Sequence, residues 1–128
     1  MGCDIHVHTE VKIDGAWEHY GSPNVRRCYA LFQKMAGVRG DVTKALSPPK
    51  GIPPDVTKLT QFMCDYEQGH SHSYLSMREI RQLSEWWGGD SVGESIEIQF
   101  GYLFGNEWQE ESLPERVTDF RWVFWFDN

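Results

Sequence analysis

The N-terminal segment alternates between apolar and polar residues, which is the pattern of a β-strand whose two faces meet different surroundings. Residues 4–13 divide by parity into a set that is apolar except for Thr9, namely Ile5, Val7, Thr9, Val11 and Ile13, and a polar set, Asp4, His6, His8, Glu10 and Lys12. The apolar set is expected to face a core. The Asp14-Gly15 pair that follows is a strong signal for a two-residue hairpin, with a returning strand over residues 16–20.

Two short helices are predicted in the next part of the chain. Apolar residues recur there at helical spacing, at Cys28, Leu31, Phe32 and Met35. Asn24 is a candidate N-cap for this helix and Gly37 a suitable C-terminal stop. A second helix is predicted from Asp55, as its cap, through Tyr66. Residues 39–55 have four prolines and no periodicity, which predicts a long lid or binding loop.

The C-terminal half predicts one more helix and two strands. Ser76 and Glu79 have capping-box spacing, ahead of an apolar stripe at Met77, Ile80, Leu83 and Trp87. Alternation at Ile96, Ile98 and Phe100 predicts a strand. The closing "DFRWVFWFDN" is apolar at both parities, which is typical of a central strand.

These elements predict an α+β fold with a small antiparallel or mixed β-sheet. The sheet has an N-terminal hairpin and a central C-terminal strand, with two or three short helices packed on it and a long Pro-rich loop. We expect one domain over residues 1–128, because the chain has the most common size of a single domain and shows no linker or repeat.

Composition narrows the range of partners. The formal charge of -7 argues against binding of long nucleic acid, which needs clustered Lys and Arg. Three widely spaced cysteines without a C-x-x-C pair predict reduced thiols. No apolar run approaches the roughly 18 residues of a membrane span, so no membrane partner is expected.

Two histidine pairs are the most informative candidates for chemistry. His6 and His8 lie two apart on one strand face, so their imidazoles can converge on one ion. His70 and His72 form a second pair, expected on a loop that folds over the hairpin just before a helix. These four histidines are predicted ligands of a divalent metal ion, Zn, Mn or Mg. The neighbouring carboxylates of Asp4 and Glu10 are candidate catalytic groups, as ligand or general base.

Ligand recognition has its own candidates. We expect Arg39, on the long loop, and the serines Ser71 and Ser73 to bind a phosphate. Trp86, Trp87 and Trp108 are candidates for a base pocket, although aromatic residues more often form core. A simpler interpretation stays open at this point. The polar strand face can be solvent-exposed, "GHSHS" can be a turn, and His19 can be a surface residue.

The run Asp4-Ile5-His6-Val7-His8-Thr9 resembles the D-x-H-x-H-T opening of the polymerase and histidinol phosphatase superfamily. In that superfamily the two histidines bind metals for phosphoester hydrolysis. The resemblance implies metal binding by the H-x-H motif. It implies nothing about the fold, because the chain is too short for the superfamily's barrel and lacks recognisable later ligands.

A longer resemblance is to a family of small proteins encoded by tailed bacteriophages and prophages. It extends over nearly the whole chain, through "MGCDIHVHTE", "YALFQKMAGVR" at 29–39, "PKGIPPDVT" at 49–57, "GHSHSYL" at 69–75, "GYLFGN" at 101–106 and "RWVFWFDN". This resemblance implies a phage accessory protein acting in the cytoplasm of an infected bacterial host. It brings no established catalytic residues.

Three functions follow as hypotheses. The first is metal-dependent hydrolysis of a phosphoester, such as a cyclic nucleotide signal of host defence. The second is a non-catalytic protein that binds and sequesters such a small phosphorylated or nucleotide ligand, with the base enclosed at the interface of a homo-oligomer. The third is a protein-protein inhibitor that uses its acidic surface.

Overall fold

The computed structural model describes residues 2–87 and 115–128. Its elements in chain order are β1 (Asp4–Ile13), β2 (Ala16–Gly21), α1 (Tyr29–Ala36), α2 (Lys58–Glu67), β3 (His70–Ser76), α3 (Met77–Trp87) and β4 (Val117–Asp127). The strands form one antiparallel sheet in the order β2-β1-β4-β3. The predicted α+β class, the hairpin and the central C-terminal strand are confirmed. The strand predicted at residues 96–100 and Trp108 lie outside the described residues.

One face of the sheet carries the main core. The apolar parity of β1 pairs in register with aromatic residues of β4, as in Ile5 with Phe126 and Val7 with Phe124. All four side chains are buried together with apolar residues of α1 and α3. The strand pattern therefore identified the correct core face, because a one-residue register shift would turn every side chain to the other side.

The opposite face of the sheet is also covered. Helix α2 and the Pro-rich loop pack on it around a second apolar cluster of Cys64, Val123 and Trp125. The middle of the polar parity of β1 is consequently buried, since His8 is 4% exposed and Glu10 0% exposed, whereas Asp4 at its start is exposed. This second face is covered because β4 carries large apolar side chains on both faces. Its odd-numbered residues Val123 and Trp125 are apolar, as are their even-numbered neighbours.

Two predicted caps are wrong. Helix α1 begins at Tyr29, after Cys28 with an extended backbone, so Asn24 lies too far upstream to cap it. Helix α2 begins at Lys58, and Thr57 rather than Asp55 occupies the N-cap. The carboxylate of Asp55 is engaged elsewhere, by a charged guanidinium described below. The Pro-rich segment is a loop as predicted, apart from one 3-10 turn at Val42–Lys44.

The "GHSHS" segment is not a loop. Its residues 70–73 begin β3, the edge strand beside β4, where His70 pairs with Phe126 and Ser73 with Phe124. The capping box that follows is confirmed, since the Ser76 N–H donates to Glu79 at 3.0 Å and the Glu79 N–H donates to the Ser76 hydroxyl at 3.3 Å. The three cysteines are free, as expected. Within the described ranges, every helix is too short or too polar to cross a membrane.

Candidate functional site

Three of the predicted histidines surround one buried tryptophan on the α2 side of the sheet. The Trp125 ring is 0% exposed. Its centroid lies 6.4 Å from that of His6, 5.2 Å from that of His8 and 5.9 Å from that of His72. The strand spacing thus brought His6 and His8 to one face, as predicted, but their rings pack on an indole.

The ring nitrogens of these histidines already have protein partners. His6 Nδ1 lies 2.9 Å from a Glu67 oxygen, and its Nε2 contacts Asp127. His8 Nδ1 lies 3.0 Å from His19 Nε2. Burial and then the neighbouring His19 lower the pKa of His8 from 6.5 to about 4, so this imidazole is neutral at pH 7.

His70 and His72 separate instead of forming a pair. Between His70 and Ser73 the register of β3 shifts, and Ser71 has a positive φ of 54°. The His70 ring lies beside Phe126, whereas the His72 ring lies beside Trp125, and these two β4 residues belong to opposite faces. Such a bulge breaks the alternation on which the H-x-H prediction depended.

The expected divalent metal centre does not fit this arrangement. Structural and catalytic metal sites need three or four ligand atoms that converge on one point. Within the described ranges, no group of three or more His, Cys, Asp or Glu side chains is placed to hold a metal ion. The four predicted ligands therefore form no common site, and no catalytic step is assigned to a metal.

The two candidate catalytic carboxylates are both engaged in ion pairs. Asp4 receives two hydrogen bonds from Arg27, at 3.0 and 3.1 Å, which lower the pKa of its carboxyl. Glu10 Oε1 accepts from Arg121 Nε at 2.8 Å. Glu10 Oε2 accepts from the N–H and hydroxyl of Thr57 at 3.0 and 2.5 Å. Glu10 thus ties the start of α2 to the sheet.

The predicted phosphate-binding residues lie apart from one another. The Arg39 guanidinium lies 5.2 Å from the centre of the Tyr29 ring. The Ser71 hydroxyl lies 3.0 Å from His70 Nδ1. Ser73 is fully buried, and its hydroxyl accepts the Lys50 N–H at 3.0 Å. The structure does not bring these three residues together.

A groove between β2 and the start of α2 is a candidate site within the described ranges. We call it the β2–α2 groove. Its volume is about 660 Å³, which is within the size of small-molecule sites. It is lined by Lys12, Gly15, Ala16, Trp17, Glu18, His19, Asp55, Val56, Thr57, Lys58 and Leu59.

The aromatic side chain of the groove is held in place by polar contacts. Trp17 Nε1 donates to Asp55 Oδ2 at 3.1 Å. The Arg121 guanidinium lies 3.9 Å from the centre of the Trp17 ring and donates to Asp55 Oδ1 at 2.7 Å. Because Arg121 is also paired with the buried Glu10, the indole is anchored to the interior of the protein. The same hydrogen bonds lower the pKa of Asp55.

Positive charge is available at the rim of the groove. Lys12 and Lys58 both line it. Helix geometry leaves the N–H groups of residues 58 and 59 without an intrahelical acceptor, and the helix dipole adds partial positive charge there. Arg121 pairs with the carboxylate of Asp55 but is shared with Glu10, and the acidic Glu18 also lines the groove. The groove therefore combines a fixed aromatic surface with donors suited to an anion.

Trp17, His19 and Arg121 were not predicted as site residues, although the sequence carried a signal for the first two. A two-residue turn at Asp14-Gly15 places residues opposite each other when their numbers sum to 29. It therefore pairs Lys12 with Trp17 and Glu10 with His19, as observed. The hairpin register thus predicts which residues of β2 lie beside Lys12 and Glu10, whereas the H-x-H motif predicts nothing about β2.

No family model, no curated protein and no solved structure matches this chain.

Proposed function

We propose that this protein binds a small phosphorylated ligand of the nucleotide class in the β2–α2 groove and releases it intact. The observation that carries the proposal is the juxtaposition of an anchored indole, Trp17, with two lysines and a helix N-terminus in one groove. Nucleotides present an aromatic base and an anionic phosphate, and this groove offers a partner for each.

Base stacking supplies the first part of the recognition. Stacking on an aromatic side chain contributes about 1–3 kcal/mol per base and tolerates different bases. The Trp17 ring is already fixed by Asp55 and Arg121, so little side-chain entropy is lost when a ligand stacks on it.

Phosphate recognition supplies the second part. Lys12, whose ammonium lies 5.7 Å from the centre of the Trp17 ring, Lys58 and the residues at the start of α2 line the same groove. A helix N-terminus favours an anion, and neighbouring lysines add charge that the acidic surface of the protein otherwise lacks. Because the chain has a net charge of -7, a phosphate has to be bound by a few nearby positive groups, and this groove supplies them.

Binding without cleavage is the better-supported alternative. Hydrolysis by a metal needs free ligands, whereas His6 and His8 are bonded to other side chains and Glu10 is buried in an ion pair. Sequestration of a host nucleotide signal in the cytoplasm of an infected bacterium agrees with the resemblance to phage proteins. We therefore propose this role for the protein.

A titration with a ligand panel tests the proposal. Purified protein is titrated calorimetrically with ATP, GTP, a cyclic dinucleotide and inorganic phosphate, and each mixture is then denatured and chromatographed. We expect saturable binding of at least one nucleotide, much weaker binding of inorganic phosphate, and full recovery of the intact nucleotide.

Matched tryptophan variants locate the site. Trp17→Ala is expected to weaken nucleotide binding by about tenfold or more, the equivalent of roughly 1.4 kcal/mol. Trp86→Ala is the control, since this tryptophan is 47% exposed on α3. Product formation would favour the hydrolase, equal loss in both variants would disprove the groove, and no binding at all would favour the protein-protein inhibitor.

A further inference from the structure

An exposed apolar stripe runs along the outer face of α2. The side chains of Leu59, Phe62 and Tyr66 are 48%, 64% and 78% exposed. Their spacing of three and four residues places them on one side of the helix, opposite Thr60 and Cys64, which are buried against the sheet. A single exposed apolar residue needs no explanation, but a contiguous row of three on one helix does.

The charged residues of α2 are placed unfavourably with respect to the helix dipole. Lys58 stands in the first turn, which has no acidic residue, and Asp65 stands in the last two turns, which have no basic residue. Positive charge at a helix N-terminus and negative charge at its C-terminus both destabilise the isolated helix. Within this chain the exposed side chain of Asp65 accepts only a side-chain hydrogen bond from Gln61 on the same helix among the described contacts.

We propose that α2 is a self-association surface, on which two copies of this chain pair their α2 helices antiparallel across a two-fold axis near Phe62. Lys58 lies four residues before Phe62 and Asp65 three residues after it. Lys58 and Asp65 are seven residues apart and so lie on the same edge of the stripe. In an antiparallel pair, equivalent edges face each other, so each lysine meets the aspartate of the other copy.

The apolar residues obey the same symmetry. Leu59 lies three residues before Phe62 and Tyr66 four residues after it, so each leucine packs beside the tyrosine of the second copy. A parallel pair would bring neither set together. The antiparallel arrangement also places the positive N-terminus of each helix against the negative C-terminus of the other, which relieves the unfavourable charge placement.

This inference depends on the surface of α2 alone and does not require the proposed ligand. Stable interfaces usually bury about 1,600 Å² in total, and a ten-residue helix offers less than this. The association is therefore weak and concentration-dependent. It has one consequence for the groove. Lys58 and Leu59 also line the β2–α2 groove, so the second copy borders its entrance.

Sedimentation of the full chain without nucleotide tests the arrangement. The weight-average mass of the wild type is expected to rise from one chain toward two over a micromolar concentration series. Phe62→Ser should abolish this rise, whereas the control Tyr20→Ser, which alters an exposed aromatic residue on β2, should not. The thermal transition of each variant checks that it is folded.

Charge reversal tests the antiparallel register itself. Lys58→Glu or Asp65→Lys alone converts two attractive contacts per dimer into repulsive ones and is expected to weaken association about tenfold, an effect that salt reduces. The double variant restores opposite charges and should recover wild-type association to within about twofold. A monomer at every concentration, a dimer indifferent to Phe62→Ser, or a double variant as weak as the single ones would each overturn the proposal.

Discussion

The buried ion pair between Glu10 and Arg121 is predicted to hold the sheet, α2 and the groove together. Glu10 is 0% exposed and accepts hydrogen bonds from three donors, Arg121 Nε, the Thr57 N–H and the Thr57 hydroxyl. Glu10→Gln keeps the shape of the side chain but leaves one acceptor oxygen for these donors. Its NH₂ group would also face a donor.

The expected loss of unfolding free energy follows from the charge of Arg121, which Glu10→Gln leaves buried without its buried partner. Removing one partner of a buried pair typically costs about 3–5 kcal/mol, because the remaining charge is buried without compensation. Asp55 still contacts Arg121 but is largely exposed, so we expect Glu10→Gln to cost about 3 kcal/mol. For a chain of this size that corresponds to a melting temperature lower by roughly 10 °C.

Reversible urea denaturation followed by circular dichroism measures this loss. Asp4→Asn is the matched control, since Asp4 and Arg27 form an exposed pair whose loss should have little effect. Adding Arg121→Met to Glu10→Gln should recover part of the stability, because the stranded charge is removed. A loss below about 1 kcal/mol for Glu10→Gln would refute the reasoning that this buried pair organises the site.

Three further predictions concern single positions. Because the pKa of His8 is lowered to about 4, its neutral form favours folding. Stability should fall by about 2–3 kcal/mol as the pH drops from 6.5 toward 4, and His8→Gln should flatten that part of the urea-midpoint profile. Ser76→Ala should lower the free energy of unfolding by about 1 kcal/mol through loss of the capping box, and an unchanged urea midpoint would contradict this. Gly37→Ala should destabilise the protein more than Gly15→Ala in thermal melts. Both glycines have φ near 80°, but only at position 37 would the new Cβ lie 2.5 Å from Val42 Cα.

Much of the fold could be predicted because its signals are local. The alternation of β1, the Asp14-Gly15 turn and the capping box of α3 each depend on residues close in sequence, and each is confirmed. The central position of β4 could also be predicted from the sequence. Its residues are apolar at both parities, which is typical of a strand that is covered on both faces.

The site could not be predicted as well because it depends on contacts distant in sequence. The partner of Glu10 is Arg121, and the groove joins β2 to the segment before α2. The H-x-H motif was informative at His6 and His8, where the strand is regular. It failed at His70 and His72, where a bulge redirects one ring, and no periodicity in the sequence marks that bulge.

Mapping ligand contacts by nuclear magnetic resonance tests the central claim most directly. Labelled protein is titrated with ATP, and with inorganic phosphate as a second probe, while the indole N–H signal of Trp17 is identified from a Trp17→Phe variant. We expect ATP to shift this indole signal together with the signals of the backbone amides of Lys58 and Leu59, and phosphate to shift the signals of the amides alone. Shifts confined to Arg39, Ser71 and the histidines around Trp125, with the groove unaffected, would contradict it.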